Sequence, residues 1–237
     1  MEATPPYQII KTIYEGNDGP ILLIKDKNKK QFVMKKYQYN PSDYGIEAGL
    51  FIEMMILKKF KGYPNLLQLD HIQYSRGEVN IVVEKMDDEI GELILEKPSV
   101  PQIKDYMRQI LKGLQTLHEH GIFHNDLKPL NIMYRRNKGK TEIKIIDFGL
   151  AHFVSYPYYR ARNIKTTHHW TPPEYKSHRE IGRISVNSDI YSLGIILFYF
   201  ISPQDYQYLD DDPNHDNIFD PHHVDWKKIR NRVGIQG

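Results

Sequence analysis

A chain of 237 residues with 40% apolar and 12% aromatic side chains is long enough for one large domain or two small lobes, and too apolar for intrinsic disorder. Its formal net charge of +2 gives no electrostatic case for a nucleic acid or an anionic membrane as partner. The absence of cysteine excludes a disulfide framework, thiolate metal sites and cysteine nucleophiles.

Residues 7–14 (YQIIKTIY), 20–25 (PILLIK) and 31–37 (QFVMKKY) are rich in β-branched and apolar residues and read as strands, with a turn at Asp26 to Lys29. Ile46, Leu50, Met54, Leu57 and Phe60 recur at spacings of three and four, which predicts a helix over 46–60 that ends at Gly62-Tyr63-Pro64. Two more strands are expected at 65–72 and 78–84. The composition then shifts at 84–92 (EKMDDEIGE), which reads as a connector. Ile103, Tyr106, Met107, Ile110, Leu111, Leu114 and Leu117 form one stripe of a helix over 102–120, with Ser99 and Pro101 suited to its start and Gly121 to its cap. A hairpin is expected from 131–135 and 141–147 around the turn Arg136 to Gly139, then an apolar helix at 188–201. Its apolar run, Ile190 to Ile201, is too short to span a bilayer. The opening MEATPPYQ lacks the basic and apolar regions of a secretory signal. These two features lead to the expectation of a cytoplasmic protein.

The stretch GIFHNDLKPLNIMY (121–134) lies between the long helix and the hairpin, and the hairpin returns into KIIDFGLA (144–151). Asp126, Asn131 and Asp147 therefore gather hard oxygen ligands at the edge of a two-stranded ribbon. Such ligands suit Mg²⁺, which keeps substrate phosphates in its shell. A carboxylate at Asp126 can also orient a hydroxyl nucleophile or take its proton.

Here the sequence resembles the eukaryotic-type protein kinases. The H-R-D-L-x-x-x-N signature reads H-N-D-L-K-P-L-N (124–131), D-F-G is intact (147–149), and V-A-I-K reads F-V-M-K (32–35). The resemblance implies an α+β fold, with a β-rich N-lobe (1–83) carrying one helix, a connector (84–92) and a mainly helical C-lobe (93–237), shortened after the 188–201 helix. It also implies a phosphotransferase using ATP and Mg²⁺ on a protein substrate. By this likeness Lys35 holds the α/β-phosphates, Glu53 pairs with it, Asp126 receives the substrate hydroxyl, Lys128 neutralises the γ-phosphoryl, and Asn131 and Asp147 hold Mg²⁺. Ile13, Ile21 and Val33 lie above adenine and Met133 below, the backbone of Glu84 to Met86 supplies hinge hydrogen bonds, and Val83 is the gatekeeper position. Leu57, Leu69, His124 and Phe148 match the stack that links the lobes.

Lys128 and Thr167 resemble the Ser/Thr-specific branch. Pro172-Pro173-Glu174 stands where A-P-E is expected, and Asp189 matches the acceptor of catalytic-loop N–H groups. The departures are equally specific. The glycine-rich loop reads Y-E-G-N-D-G (14–19), so only Gly16 and Gly19 remain for backbone approach to phosphate. Asn125 replaces the Arg that pairs with a phosphorylated activation loop, so activity is expected not to need loop phosphorylation. A compact chain of this kind also raises a viral source acting in a host cell, and a protein partner that completes the short C-lobe.

Simpler readings stand beside these. Asp126 and Asp147 can be turn residues. His168-His169, His222-His223 and His215 lack known metal spacing and read as surface histidines. The YPYY run (156–159) reads as packing, and 210–212 (DDD) as solvated surface. Two other function classes remain: a pseudokinase-type binding or decoy module with the same fold, and a small-molecule kinase of the aminoglycoside or choline type. The D-F-G and the Thr-to-P-E segment weigh against the latter.

Overall fold

The computed structural model describes residues 7–16, 19–39, 47–75, 77–154, 158–161, 170, 172 and 182–203. Thr167, Pro173, Glu174, the histidine pairs, Asp18, the acidic run at 210–212 and the segment 204–237 lie outside the described residues. The chain divides into two compact units, Met1–Met86 and Asp87–Gly237.

The first unit is a five-stranded antiparallel sheet in the order β1 (Gln8–Gly16), β2 (Gly19–Lys25), β3 (Gln31–Gln38), β5 (Glu78–Glu84), β4 (Leu69–Ser75), with one helix, α1 (Ala48–Lys59). Alternation along the strands puts Leu22, Ile24, Phe32, Met34 and Val82 in one buried cluster. Tyr7 packs against this cluster and donates its hydroxyl to Asp70 Oδ2 at 3.2 Å, so the residue before one edge strand is tied to the other edge strand. Burial, seconded by the Asp70 carboxylate, raises the pKa of the Tyr7 hydroxyl above the ordinary phenol value.

The strand expected at 65–72 begins later, at Leu69. Asn65 takes a left-handed φ of 62°, and the Gln68 side chain folds the preceding turn by donating to Tyr63 O and Leu66 O, both at 2.8 Å, and accepting from Gly62 N at 2.5 Å. This side-chain competition with the ladder is invisible to an apolar pattern.

The second unit holds α2 (Ile90–Leu95), α3 (Val100–His118) and α4 (Val186–Ile201). Its three-stranded sheet runs β6 (Asp88–Glu89), β8 (Ile132–Asn137), β9 (Lys140–Ile145). Short pairs join β7 (Ile122–Phe123) to β10 (His152–Phe153) and β11 (Tyr158–Ala161) to β12 (Gly182–Ser185). The stretch expected as a connector thus carries a strand pairing and a helix, both too short to show a periodicity. Of the expected α3 stripe, Ile103, Tyr106, Ile110, Leu114 and Leu117 are buried, Met107 is partly buried, and Leu111 is 45% exposed because it lies at the edge of the apolar face. At its start Gln102 Oε1 accepts from Ser99 N at 2.9 Å. The β8–β9 hairpin closes through Lys138 (φ 48°) and Gly139 (φ 78°), the paired positive values of a two-residue turn.

An α+β architecture, with a β-rich first unit and three helices among the described residues of the second, is therefore as the sequence predicts. Strand β9 is an edge, and Gln109 on α3 covers it. Its amide oxygen accepts from Ile143 N and its nitrogen donates to Thr141 O, both at 2.9 Å. The side chain thus stands in for a neighbouring strand. Replacing Gln109 by Leu leaves both backbone groups without that partner. The expected cost is about 1–3 kcal/mol, read as a lower denaturation midpoint at unchanged slope.

Candidate active site

The residues singled out by sequence divide between the two units. In the first, Lys35 sits mid-strand on β3, paired with Ile21 on one side and Ile81 on the other. Its Nζ meets Glu53 Oε1 of α1 at 2.5 Å, and Tyr37 donates its hydroxyl to Glu53 Oε2 at 3.0 Å. Glu53 is 3% exposed, and a carboxylate so buried needs both oxygens satisfied. Tyr37 was not singled out by sequence. The signal was its i+2 spacing from Lys35, which puts both side chains on one face of the strand.

The hairpin of β1 and β2 brings Gly16 opposite Gly19. The two glycines have different physical reasons. Gly19 has φ 121°, and a Cβ there would stand 2.1 Å from the Lys36 carbonyl oxygen, so the sheet itself demands glycine. A Cβ at Gly16 would meet only the Tyr14 ring, at 2.5 Å. The side chain that replaces the first glycine of the loop thus lies over the second. Ile13 is half-exposed, Ile21 and Val33 partly buried, and Met86 buried. The Glu84 N–H is taken by Gln68 O at 3.0 Å, and Val83 pairs with Val33 and Leu69.

In the second unit, Asp126, Lys128 and Asn131 share one buried arch. Asp126 Oδ2 receives Lys128 Nζ at 2.9 Å and Asn131 Nδ2 at 3.0 Å. Asn131 Nδ2 also donates to the Asp126 carbonyl at 2.8 Å, and neither bond uses the amide oxygen. Asn131 O accepts from Ile146 N at 2.9 Å, which brings the residue before Asp147 against the arch. Asp147 has φ 60°, and its Oδ1 accepts from Gly149 N at 3.3 Å. Met133, partly buried, follows on β8.

The arch is suspended from α4. Asp189, 1% exposed, accepts His124 N on Oδ2 at 2.9 Å and Asn125 N on Oδ1 at 2.8 Å. His118 Nε2 adds a third partner, 2.7 Å from Oδ2. His124 is fully buried. Its Nδ1 accepts from Asp126 N at 3.3 Å, so Nε2 carries the proton given to Ile146 O at 2.9 Å. Its ring stands edge-on to Phe148 at 5.7 Å. Asn125 holds a left-handed φ of 65°, which asparagine tolerates well, and its amide nitrogen lies 3.4 Å from Leu150 O. His118 was also not singled out by sequence. It occupies the last turn of α3, and only the fold sets it against a residue 71 positions away.

No group of three or more His, Asp or Glu among the described residues has the geometry of a metal cage. The donor set of Asn131 and Asp147 fits Mg²⁺, which takes few protein ligands and completes its shell with water and phosphate oxygens. Among the described residues no helix is long and apolar enough to cross a membrane.

The protein kinase domain family matches residues 7–231 of this chain, and the chain belongs to that family.

Two measurements probe the arch and the strand pair beside it. Asp189→Ala removes the acceptor of two buried N–H groups. At about 1–3 kcal/mol each, a loss of roughly 2–6 kcal/mol is expected in a denaturant titration. His152, on β10 opposite Phe123 of β7, is half-buried. Burial holds its pKa below the ordinary imidazole range, although Nδ1–H donation to Leu150 O raises it. The unfolded chain takes up this proton near pH ~6.5 and the folded chain only lower, so this stability is fully present above that pH and is lost below it, as pH falls through the folded value. The drop in melting temperature on acidification should therefore shrink in His152→Gln.

Proposed function

We propose that this protein kinase domain is an active serine/threonine kinase, transferring the γ-phosphoryl of MgATP to a protein hydroxyl. The observation that carries the reading is the Asp126 carboxylate, fixed by Lys128 and Asn131 on an arch pinned by Asp189. A scaffold has no physical need for a buried carboxylate held ready between a cation and an amide.

In this reading Lys35, oriented by Glu53, binds the α/β-phosphates. Asp126 orients the substrate hydroxyl and takes its proton, while Lys128 offsets charge on the transferring group. Asn131 and Asp147 hold Mg²⁺, which supplies charge neutralisation across the phosphates. Ile13, Ile21, Val33 and Met133 contact the base, Gly16 and Gly19 admit the phosphates, and Glu84 and Met86 offer backbone groups. Thr167 supports Asp126 and Lys128, as the Ser/Thr branch implies. A cytoplasmic setting, where MgATP is abundant, belongs to the same reading.

Asn125 carries no charge and cannot clamp a phosphate bidentately. Loop phosphorylation is therefore dispensable in this proposal. A second reading, nucleotide binding without turnover, draws on the Tyr14 ring that lies over Gly16.

Transfer of labelled γ-phosphate to a generic Ser/Thr substrate separates the two. The wild type should transfer, and Asp126→Asn should lose at least about a hundredfold in kcat. Absence of transfer by both proteins, with MgATP still raising the melting temperature, would support the second reading. Phosphatase treatment of the purified wild type should leave its rate within about twofold; a collapse would return the control to loop phosphorylation.

A further inference from the structure

Leu130 is 62% exposed, more than any other large apolar side chain among the described residues. A single exposed leucine is ordinary on a protein surface. This one occupies the middle of a 3-10 turn, Pro129–Asn131, whose other two residues are buried. Side chains in such a turn step by about 120°, so the outward direction falls to Leu130. The turn is also fixed. Asn131 N donates to Lys128 O at 2.9 Å, Asn131 O accepts from Ile146 N at 2.9 Å, and its amide is bonded to Asp126. The leucine therefore stands in solvent on a rigid mount, one residue from a side chain that touches the Asp126 carboxylate.

That placement is within reach of a peptide whose hydroxyl is held at Asp126. Asn131 Nδ2 is 3.0 Å from Asp126 Oδ2, and successive Cα atoms are about 3.8 Å apart, so the Leu130 backbone lies within roughly 10 Å of the carboxylate. An extended peptide advances about 3.3 Å per residue. A residue about two to four positions from the acceptor hydroxyl can thus lie against Leu130.

Neighbouring carboxylates are already engaged. Asp126 meets Lys128 and Asn131, Asp87 accepts Arg136 N, Asp88 accepts Glu89 N, and Glu96 pairs with Arg136. The turn packs against β6 and α2, where Leu95 is a second exposed apolar side chain. Glu92 on α2 is the remaining exposed carboxylate of that helix.

We propose that Leu130 forms an apolar specificity subsite, selecting protein substrates with an aliphatic or aromatic side chain roughly two to four positions from the phosphoacceptor. This rests on the reading of Asp126 as the group that receives the substrate hydroxyl.

The test is phosphotransfer from MgATP to a positional array of Ser and Thr peptides, varied over about four positions on each side. The wild type, Leu130→Ala and Leu130→Glu are compared. At one position the wild type should favour apolar residues on the order of tenfold in kcat/KM. Leu130→Ala should reduce that preference. Leu130→Glu should turn it toward Lys or Arg at the same position, a reversal that a merely destabilised variant would not produce. An array indifferent to apolar residues, or a preference unchanged in both variants, would overturn the inference while leaving the kinase reading intact. Wild-type selection of Lys or Arg would assign the subsite to Glu92 and overturn it equally. No transfer by the wild type to any peptide is the failure of the kinase reading itself and removes the inference with it.

Discussion

Asp189 opens α4 as a buried carboxylate that accepts two consecutive backbone N–H groups, from His124 and Asn125, and is met by His118. Without it those buried N–H groups would lose this acceptor, which holds Asn125 in its left-handed backbone. The turn that this bend creates sets Asp126 inward, where Lys128 and Asn131 reach it. One side chain on a helix 16 residues long therefore decides the geometry of a loop more than 60 positions earlier. Its capacity to do so comes from charge. A carboxylate bonded to several donors makes stronger, shorter bonds than a neutral acceptor, and the low dielectric around it amplifies them.

A comparable logic operates in the first unit. Glu53 is buried on α1 and is satisfied on one oxygen by Lys35 and on the other by Tyr37. Removing Lys35 would leave an uncompensated buried charge, and removing Tyr37 would take the donor from the second carboxylate oxygen, so the triad fixes α1 against β3 in one register. In each unit the ionisable groups that the family likeness marks for chemistry are also the groups whose burial demands partners.

The short motifs were legible because each concentrates polar residues where a core or an ordinary loop would not. His124 to Asn131 and Asp147 to Gly149 could be read directly, as could the α3 stripe and the β8–β9 turn. The start of β4 could not, because the Gln68 side chain takes up the carbonyls of Tyr63 and Leu66 in the turn before it. Helix α2 was missed because six residues carry too little periodicity. Tyr37 and His118 escaped because their importance lies in whom they touch, and a tyrosine on a strand or a histidine at a helix end has many unrelated uses. The motif marks Gly19 for phosphate, and only the sheet shows a packing reason for glycine there as well, the Lys36 carbonyl.

By itself the sequence determined the family, the α+β class and the residue types available for phosphoryl transfer, since these follow from local patterns and from motifs in order. Only the tertiary structure decided which polar groups are satisfied and by whom. It tied Asp189 to the loop, Tyr37 to Glu53 and Gln109 to an edge strand, and it left Leu130 outward on a fixed turn. The physical reason is that hydrogen-bond satisfaction and exposure are properties of neighbours distant in the chain, and no spacing along it specifies them.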